Sequence, residues 1–265
     1  MSNIQDLSHI QDLLRGAEVM SHYGWSERNG GNISILLVAD KFEFSQTIRH
    51  FPLEIDAPKL RGRLLLVTGT GKYFRNLSRN PEENLGILRI MDSELELVWG
   101  FQNGGVPTSE LSSHLRSHAE RLRVDPTHSV VMHTHPTNLI ALTAVHSLDE
   151  REFTRSLWRM CSECLMFIPD GIGVLPWMPC GDDRIGAATA EKMRNCRLVI
   201  WANHGAFATG SSMDDALGLI EIADKAADIY LKIAHLPQKQ TITDAQLRQL
   251  AEVCQTMVRE GYLYA

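Results

Sequence analysis

From residue 10 to residue 23 the apolar side chains return every three or four positions, so the chain is expected to open with an amphipathic helix. Gly24 and the cluster Glu27-Arg28-Asn29-Gly30-Gly31-Asn32 stop it. Strand character follows over 33–38, then an irregular stretch to about Gly62. The run 64–68 (LLLVT), bounded by glycines, predicts a buried strand. Strands at 85–91 and 95–99 are joined too tightly for a crossover helix and should pair as an antiparallel hairpin. Pro107-Thr108-Ser109 caps a helix running to about Arg123. Beyond it the pattern reads strand 129–135, helices 138–145 and 150–160, strand 164–168 and helix 182–195. Strands 197–202 and 205–209 are separated by Asn203-His204, an amphipathic helix spans 213–234, and Thr243-Asp244 opens a last helix ending near Val258. Strands alternating with helices along the whole length predict one layered α/β domain over residues 1–265, built on a mixed sheet.

Composition narrows the function classes. With 265 residues, 44% of them hydrophobic, the chain can bury a full core without disulfides or metal staples. No apolar run approaches the ~18 residues of a membrane helix, and the start MSNIQDLSHIQDLL carries no secretory pattern, so no membrane association is expected. A net charge of −6 and the lack of a basic stripe argue against a nucleic-acid partner. An anionic substrate would therefore need a local site. The odd cysteine set Cys161, Cys164, Cys180, Cys196 and Cys254 reads as reduced thiols in the cytoplasm. Cys161-Ser162-Glu163-Cys164 lacks a second pair for a zinc ribbon. A thioredoxin-like use would want it at a helix start, whereas a strand is expected there, so it reads as two half-buried thiols.

Among the histidines, His133 and His135 lie at i and i+2 at the end of an apolar strand, which sends both imidazoles to one face. His204, in the turn between two strands, is a candidate third ligand. Three imidazoles with an open position are the form of a catalytic zinc site; the alternative is two satisfied polar residues at a strand end. Glu110, His114 and His118 share one face of the helix after Ser109, a rival metal set, yet Leu115 after His114 breaks the zincin pattern. The two histidines there read more simply as a polar helix face near the site. Glu110 falls in the first turn, where the helix dipole would favour an ionised carboxylate. Arg28-Asn29-Gly30-Gly31-Asn32 and Thr68-Gly69-Thr70-Gly71-Lys72 are glycine-rich turns able to converge backbone N–H groups on a phosphate, although neither matches a named nucleotide motif. Glu163 is a further acidic candidate, placed just before an expected strand. No GxSxG elbow is present, and no lysine lies inside the histidine or Thr108-Ser109-Glu110 segments.

Taken together these segments resemble the class II aldolase/adducin family. The resemblance rests on Gly24-Trp25 with Glu27-Arg28-Asn29-Gly30-Gly31-Asn32, Val67-Thr68-Gly69-Thr70-Gly71-Lys72 with Phe74-Arg75-Asn76, and Val106-Pro107-Thr108-Ser109-Glu110-Leu111. It continues through Met132-His133-Thr134-His135-Pro136-Thr137-Asn138, Glu163-Cys164, Pro169-Asp170-Gly171, Leu175-Pro176-Trp177-Met178 and His204-Gly205, in order along roughly residues 10–235. It implies a largely antiparallel central sheet flanked by helices, with Zn²⁺ held by His133, His135 and His204. Glu110 would be the catalytic acid/base. Asn29, Asn32, Thr70, Gly71, Thr108 and Ser109 would surround the phosphate of dihydroxyacetone phosphate, and Glu163 would reach the aldehyde end from a neighbouring subunit of a homotetramer. The implied reaction is reversible cleavage of a phosphorylated ketose to dihydroxyacetone phosphate and L-lactaldehyde. Segment 33–63 and Phe74-Arg75-Asn76 resemble the branch acting on L-rhamnulose 1-phosphate. L-fuculose 1-phosphate cleavage, epimerisation of a pentulose 5-phosphate and a non-catalytic adducin-like scaffold are the rivals. Pro179-Cys180-Gly181 departs from the family pattern, and the tail after His235 matches poorly; Tyr262 and Tyr264 there are expected to be disordered.

Overall fold

A computed structural model describes residues 8–37, 44, 46–53 and 55–263. The strands are β1 (Asn32–Leu37), β2 (Arg49–Pro52), β3 (Leu64–Thr68), β4 (Leu85–Ile90), β5 (Glu94–Gly100), β6 (Val130–Thr134), β7 (Ile172–Leu175), β8 (Leu198–Trp201) and β9 (Gly205–Gly210). They form one nine-stranded sheet in the order β2-β5-β4-β3-β1-β6-β9-β8-β7. Among the described residues only β7 and β8 pair parallel, with helix α7 (Asp183–Lys192) as their crossover; the other neighbours run antiparallel. The sheet is thus mixed and largely antiparallel, as expected.

Period-2 alternation divides the apolar side chains between two faces. Ile33, Ile35, Leu64, Leu66, Val130, Met132, Ala206 and Ala208 point to one core. That core is closed by α1 (Ser8–His22), α4 (Thr137–Val145), α5 (Glu150–Trp158), α6 (Ser162–Phe167), α8 (Met213–Ile233) and α9 (Asp244–Val253). Leu36, Leu65, Val67, Val131 and Phe207 point the other way, toward α3 (Leu111–Val124) and α7. A one-turn helix, α2 (Pro81–Asn84), leads into β4. No described helix is long and apolar enough to cross a membrane.

Three expectations need correction. Residues 164–168 are not a strand: Ser162–Phe167 is α6, because Cys164, Leu165 and Ile168 bury at helical spacing. The strand of that region is β7, eight residues later, whose short Ile-Gly-Val-Leu run gives little pattern to read. Cys161 is therefore the N-cap of a helix, yet burial pushes both thiols up, Cys164 well above its usual range, the opposite of the lowered thiol of a reactive CxxC. The stretch before Gly62 holds β2, a blunt edge strand ending in Pro52. Tyr262 is buried at 7% exposure, its carbonyl accepting from Arg155 Nη1 at 2.6 Å, so this part of the tail is docked; Tyr264 and Val38 lie outside the described residues.

The histidine-bearing end of β6 is held from outside its own segment. Helix α4 begins after Pro136, which offers no side-chain cap. Asp224 of α8 supplies one, accepting from Asn138 N at 2.9 Å, Leu139 N at 3.1 Å and Asn138 Nδ2 at 2.8 Å.

Candidate active site

The structure brings His133, His135 and His204 together. Strand β6 ends at Thr134, where Thr134 Oγ1 and His135 N both donate to Trp25 O, at 2.7 and 2.8 Å. His204 reaches the same point from the turn 202–204 between β8 and β9, which Asn203 closes with a left-handed φ of +56°. One ring nitrogen from each histidine lies within 4.8 Å of the others. This approach requires glycine at two places. A Cβ on Gly205 would stand 2.5 Å from Thr134 O and 3.0 Å from His133 Cε1, and one on Gly30 only 2.7 Å from His135 Cε1. Gly30, considered in the sequence as part of a phosphate cradle, makes room for an imidazole.

Hydrogen bonds set the ring tautomers. His133 Nδ1 donates to Ala206 O at 3.0 Å, which leaves the Nε2 lone pair facing the cluster. His135 Nδ1 bonds Glu27 Oε1 at 2.6 Å, leaving its Nε2 free to coordinate. Burial drives His133 well below the usual histidine range, and burial together with His135 brings His204 down to about 4. His133 and His204 are therefore neutral near pH 7, the protonation state that metal coordination needs. His133 Nε2 is buried and has no protein partner. Such an orphaned acceptor costs about 1–3 kcal/mol, and a cation at this point would satisfy it. The donor set fits a metal ion.

Glu110 stands beside this cluster, its Oε2 3.6 Å from His133 Nε2. It is the N-cap residue of α3, but its side chain makes no cap; it turns inward to accept from Asn32 Nδ2 at 2.8 Å. The helix-dipole expectation therefore gives way. Burial raises the Glu110 pKa, with Asn32 and His135 pulling the other way. A carboxyl poised upward is suited to carry a proton at neutral pH.

His114 and His118 are a polar helix face near the site, as expected, but a buried one, and among the described residues they do not join Glu110 as a metal set. Both are buried, bonded to Ser34 Oγ at 2.7 and 2.8 Å. Burial holds His114 at about 3, so it stays neutral in the folded protein while an unfolded histidine protonates near 6.5. The unfolded state therefore takes up more protons as pH falls from 6.5 toward 3, and this residue lowers stability on the order of 1 kcal/mol per pH unit in that window. Above 6.5 the penalty is absent. Urea unfolding at about pH 7.5 and about pH 5 is expected to show this loss, with a shallower slope in His114→Leu. An unchanged slope in that variant would refute the assignment.

The two remaining candidate phosphate segments also meet. Gly69 forms an isolated bridge with Pro107, Thr70 N donates to Val106 O at 3.0 Å, and Thr108 N to Thr68 O at 3.0 Å. Thr68 Oγ1 in turn accepts from Ile33 N at 3.1 Å, tying both segments to the start of β1. Thr70, Gly71 and Ser109 are exposed there, Thr108 is buried, and Asn29 lies exposed in the turn before β1. Glu163 is exposed in the first turn of α6, and no hydrogen bond or ion pair links it to Glu110 or the three histidines. Sequence reasoning did not single out Ser34, Asp224 or the role of Glu27. Only Ser34 left a trace, as a hydroxyl alternating with apolar residues on a buried strand.

The family model for the class II aldolase and adducin N-terminal domain matches residues 11–231. A rhamnulose-1-phosphate aldolase of Enterococcus faecalis is 46% identical, the alignment covering 98% of this chain and 96% of the relative. One from Yersinia pseudotuberculosis is 47% identical, with 91% of this chain and 92% of the relative covered. Among solved structures, a sugar-phosphate aldolase from Thermotoga maritima superposes with a TM-score of 0.76 at 28% identity, over 88% of this chain and 99% of its own. An L-fuculose 1-phosphate aldolase shares the fold at 17% identity and a TM-score of 0.64, over 96% of this chain and all of its own.

Proposed function

The chain belongs to the class II aldolase and adducin family, and from that premise we propose that it cleaves L-rhamnulose 1-phosphate reversibly to dihydroxyacetone phosphate and L-lactaldehyde, using Zn²⁺. The observation that carries the reading is a buried carboxyl, Glu110, 3.6 Å from a ring nitrogen that has no protein partner and belongs to a cluster of three histidines. A non-catalytic scaffold has no use for that arrangement. Full-length relatives at 46–47% identity favour the rhamnulose ester, whereas the fuculose likeness at 17% speaks for the fold alone.

His133, His135 and His204 would hold the cation. Bound there, it supplies Lewis-acid stabilisation of the negative charge that develops on the substrate when a carbon–carbon bond next to the ketone breaks. The chain's own groups handle protons and position. In cleavage the C4 hydroxyl loses its proton, the C3–C4 bond breaks, and its electron pair stays on the dihydroxyacetone phosphate fragment. Glu110 then delivers a proton to C3; in synthesis it removes that proton. The exposed Thr70, Gly71 and Ser109, the buried Thr108, and Asn29 with Asn32 seat the phosphate end. Glu163, without a link to this site in its own chain, serves the aldehyde end of a neighbouring chain in a homotetramer and takes the C4 hydroxyl proton. The five free cysteines accord with a cytoplasmic protein acting in rhamnose catabolism.

The test follows dihydroxyacetone phosphate release from L-rhamnulose 1-phosphate and, in parallel, L-fuculose 1-phosphate, before and after chelation. Chelator-sensitive release, restored by Zn²⁺ and faster on the rhamnulose ester, is expected. In the same assay Glu163→Ala should lose rate while keeping its bound metal, and loss of metal with activity intact would contradict its role. No release from either ester by metal-loaded protein would overturn the proposal.

A further inference from the structure

Behind Glu110, between β1 and α3, runs a buried polar seam of which the reaction as described uses only Asn32. Asn32 and Ser34 alternate with Ile33 and Ile35 on β1, so they face α3. His114 and His118 lie one turn apart on α3. Two residues of strand advance about 6.7 Å and four residues of helix about 6 Å, so the two pairs interlock. Ser34 Oγ sits between His114 Nδ1, at 2.7 Å, and His118 Nε2, at 2.8 Å. His114 Nε2 bonds Asn32 Oδ1, and Asn32 Nδ2 reaches Glu110 Oε2 at 2.8 Å. Ser34, His114 and His118 are all at most 1% exposed.

The direction of each bond follows from its neighbour. Glu110 Oε2 accepts, so Asn32 presents its amide nitrogen there and its carbonyl must accept from His114 Nε2–H. A neutral imidazole carries one proton, which leaves His114 Nδ1 to accept from the Ser34 hydroxyl. The Ser34 oxygen then accepts from His118 Nε2–H. Every donor in the row points toward Glu110. Such chains polarise one another, and in an apolar interior they hold their members more tightly than isolated bonds do.

We infer that His118, Ser34 and His114 form a one-way hydrogen-bond relay that locks the Asn32 amide and, through it, the carboxyl of Glu110 at the angle its proton transfer needs. The three are positioning residues, and Asn32 joins them to the catalytic group. A row this deep costs stability relative to apolar side chains of the same volume. What it supplies is a single orientation for the acid. The relay rests on geometry alone; its consequence for rate rests on the aldolase reading.

Two measurements separate the relay from that reading. In protein labelled with ¹⁵N-histidine, His114 and His118 are both expected as neutral Nε2–H tautomers near pH 7, assigned with His114→Gln and His118→Gln. A proton on Nδ1 of His114, or an imidazolium, would overturn the relay whether or not the protein is active. The second measurement is exchange of the dihydroxyacetone phosphate C3 proton with D₂O, which reads Glu110 without cleavage. His114→Leu should slow it about ten- to a hundredfold at unchanged KM and metal content. His114→Gln, which keeps a donor nitrogen toward Asn32, should recover most of the rate. Ser34→Ala removes one oxygen and should also slow exchange, which serves if the leucine variant fails to fold. Exchange at the wild-type rate in folded, metal-loaded His114→Leu or Ser34→Ala would sink the inference. Absence of both cleavage and exchange in the wild type would instead sink the aldolase reading, with the tautomers still deciding the relay.

Discussion

Replacing Glu110 by glutamine is expected to lower kcat about a hundred- to ten-thousandfold while bound metal and fold stay as they are. Glutamine has the shape of glutamate and an oxygen that can accept from Asn32 Nδ2, so the 2.8 Å contact survives. What it lacks is an exchangeable acidic proton. The native carboxyl sits at 7% exposure and is pushed up by burial, so removing it relieves a desolvation cost. The variant should therefore unfold at the same temperature as the wild type or a few degrees higher, the usual trade where a site stores unfavourable burial for activity. The check is kcat on L-rhamnulose 1-phosphate alongside metal content and a melting curve. A kcat within a few-fold of wild type would remove Glu110 from the proton step; lost metal would recast it as a ligand.

The second large effect is expected at His133. Its ring stacks on Phe207 at 4.7 Å and lies 5.0 Å from Trp201, with the Nδ1–Ala206 bond fixing its rotation. His133→Ala removes a proposed ligand whose partners hold it rigidly. Activity should fall by more than the roughly 10–100-fold that losing a mere supporter of a ligand costs, and metal should no longer co-purify. The cavity left beside the two aromatic rings adds a stability loss of about 2–5 kcal/mol, offset in part because the unpartnered Nε2 goes with it. Linkage separates metal loss from cavity. Added Zn²⁺ at about a hundred times its Kd should stabilise the wild type by about 2.7 kcal/mol and leave the variant's melting temperature where it was. A variant that still gains the full shift would place the metal elsewhere.

Chemistry carried on regular elements was legible in the residues. His133 could be placed at a strand end because Val130, Val131 and Met132 announce the strand, and Glu110 could be placed at a helix start because Pro107 and Thr108 announce the helix. Short apolar runs were not: 164–168 fits a buried strand or a buried helix equally, and only the packing of Cys164, Leu165 and Ile168 against one core chose the helix. Electrostatics were legible in part. The helix-start argument for Glu110 has the right dipole but cannot see that the side chain turns inward, where desolvation wins.

The sequence by itself thus determined the order of elements along most of the chain, the layered α/β class and the inventory of imidazoles, carboxyls and tight turns, because these follow from local periodicity and residue type. Which of them meet was decided by the tertiary structure. The pairing of β1 with β6 sets Asn32 opposite His133, and the β8–β9 turn brings His204 to them from about seventy residues away. The packing of α3 over β1 buries the polar face of His114 and His118 against Ser34 and Asn32. Long-range contacts of this kind depend on register and on the close approach that Gly30 and Gly205 allow, and a local pattern carries no record of either.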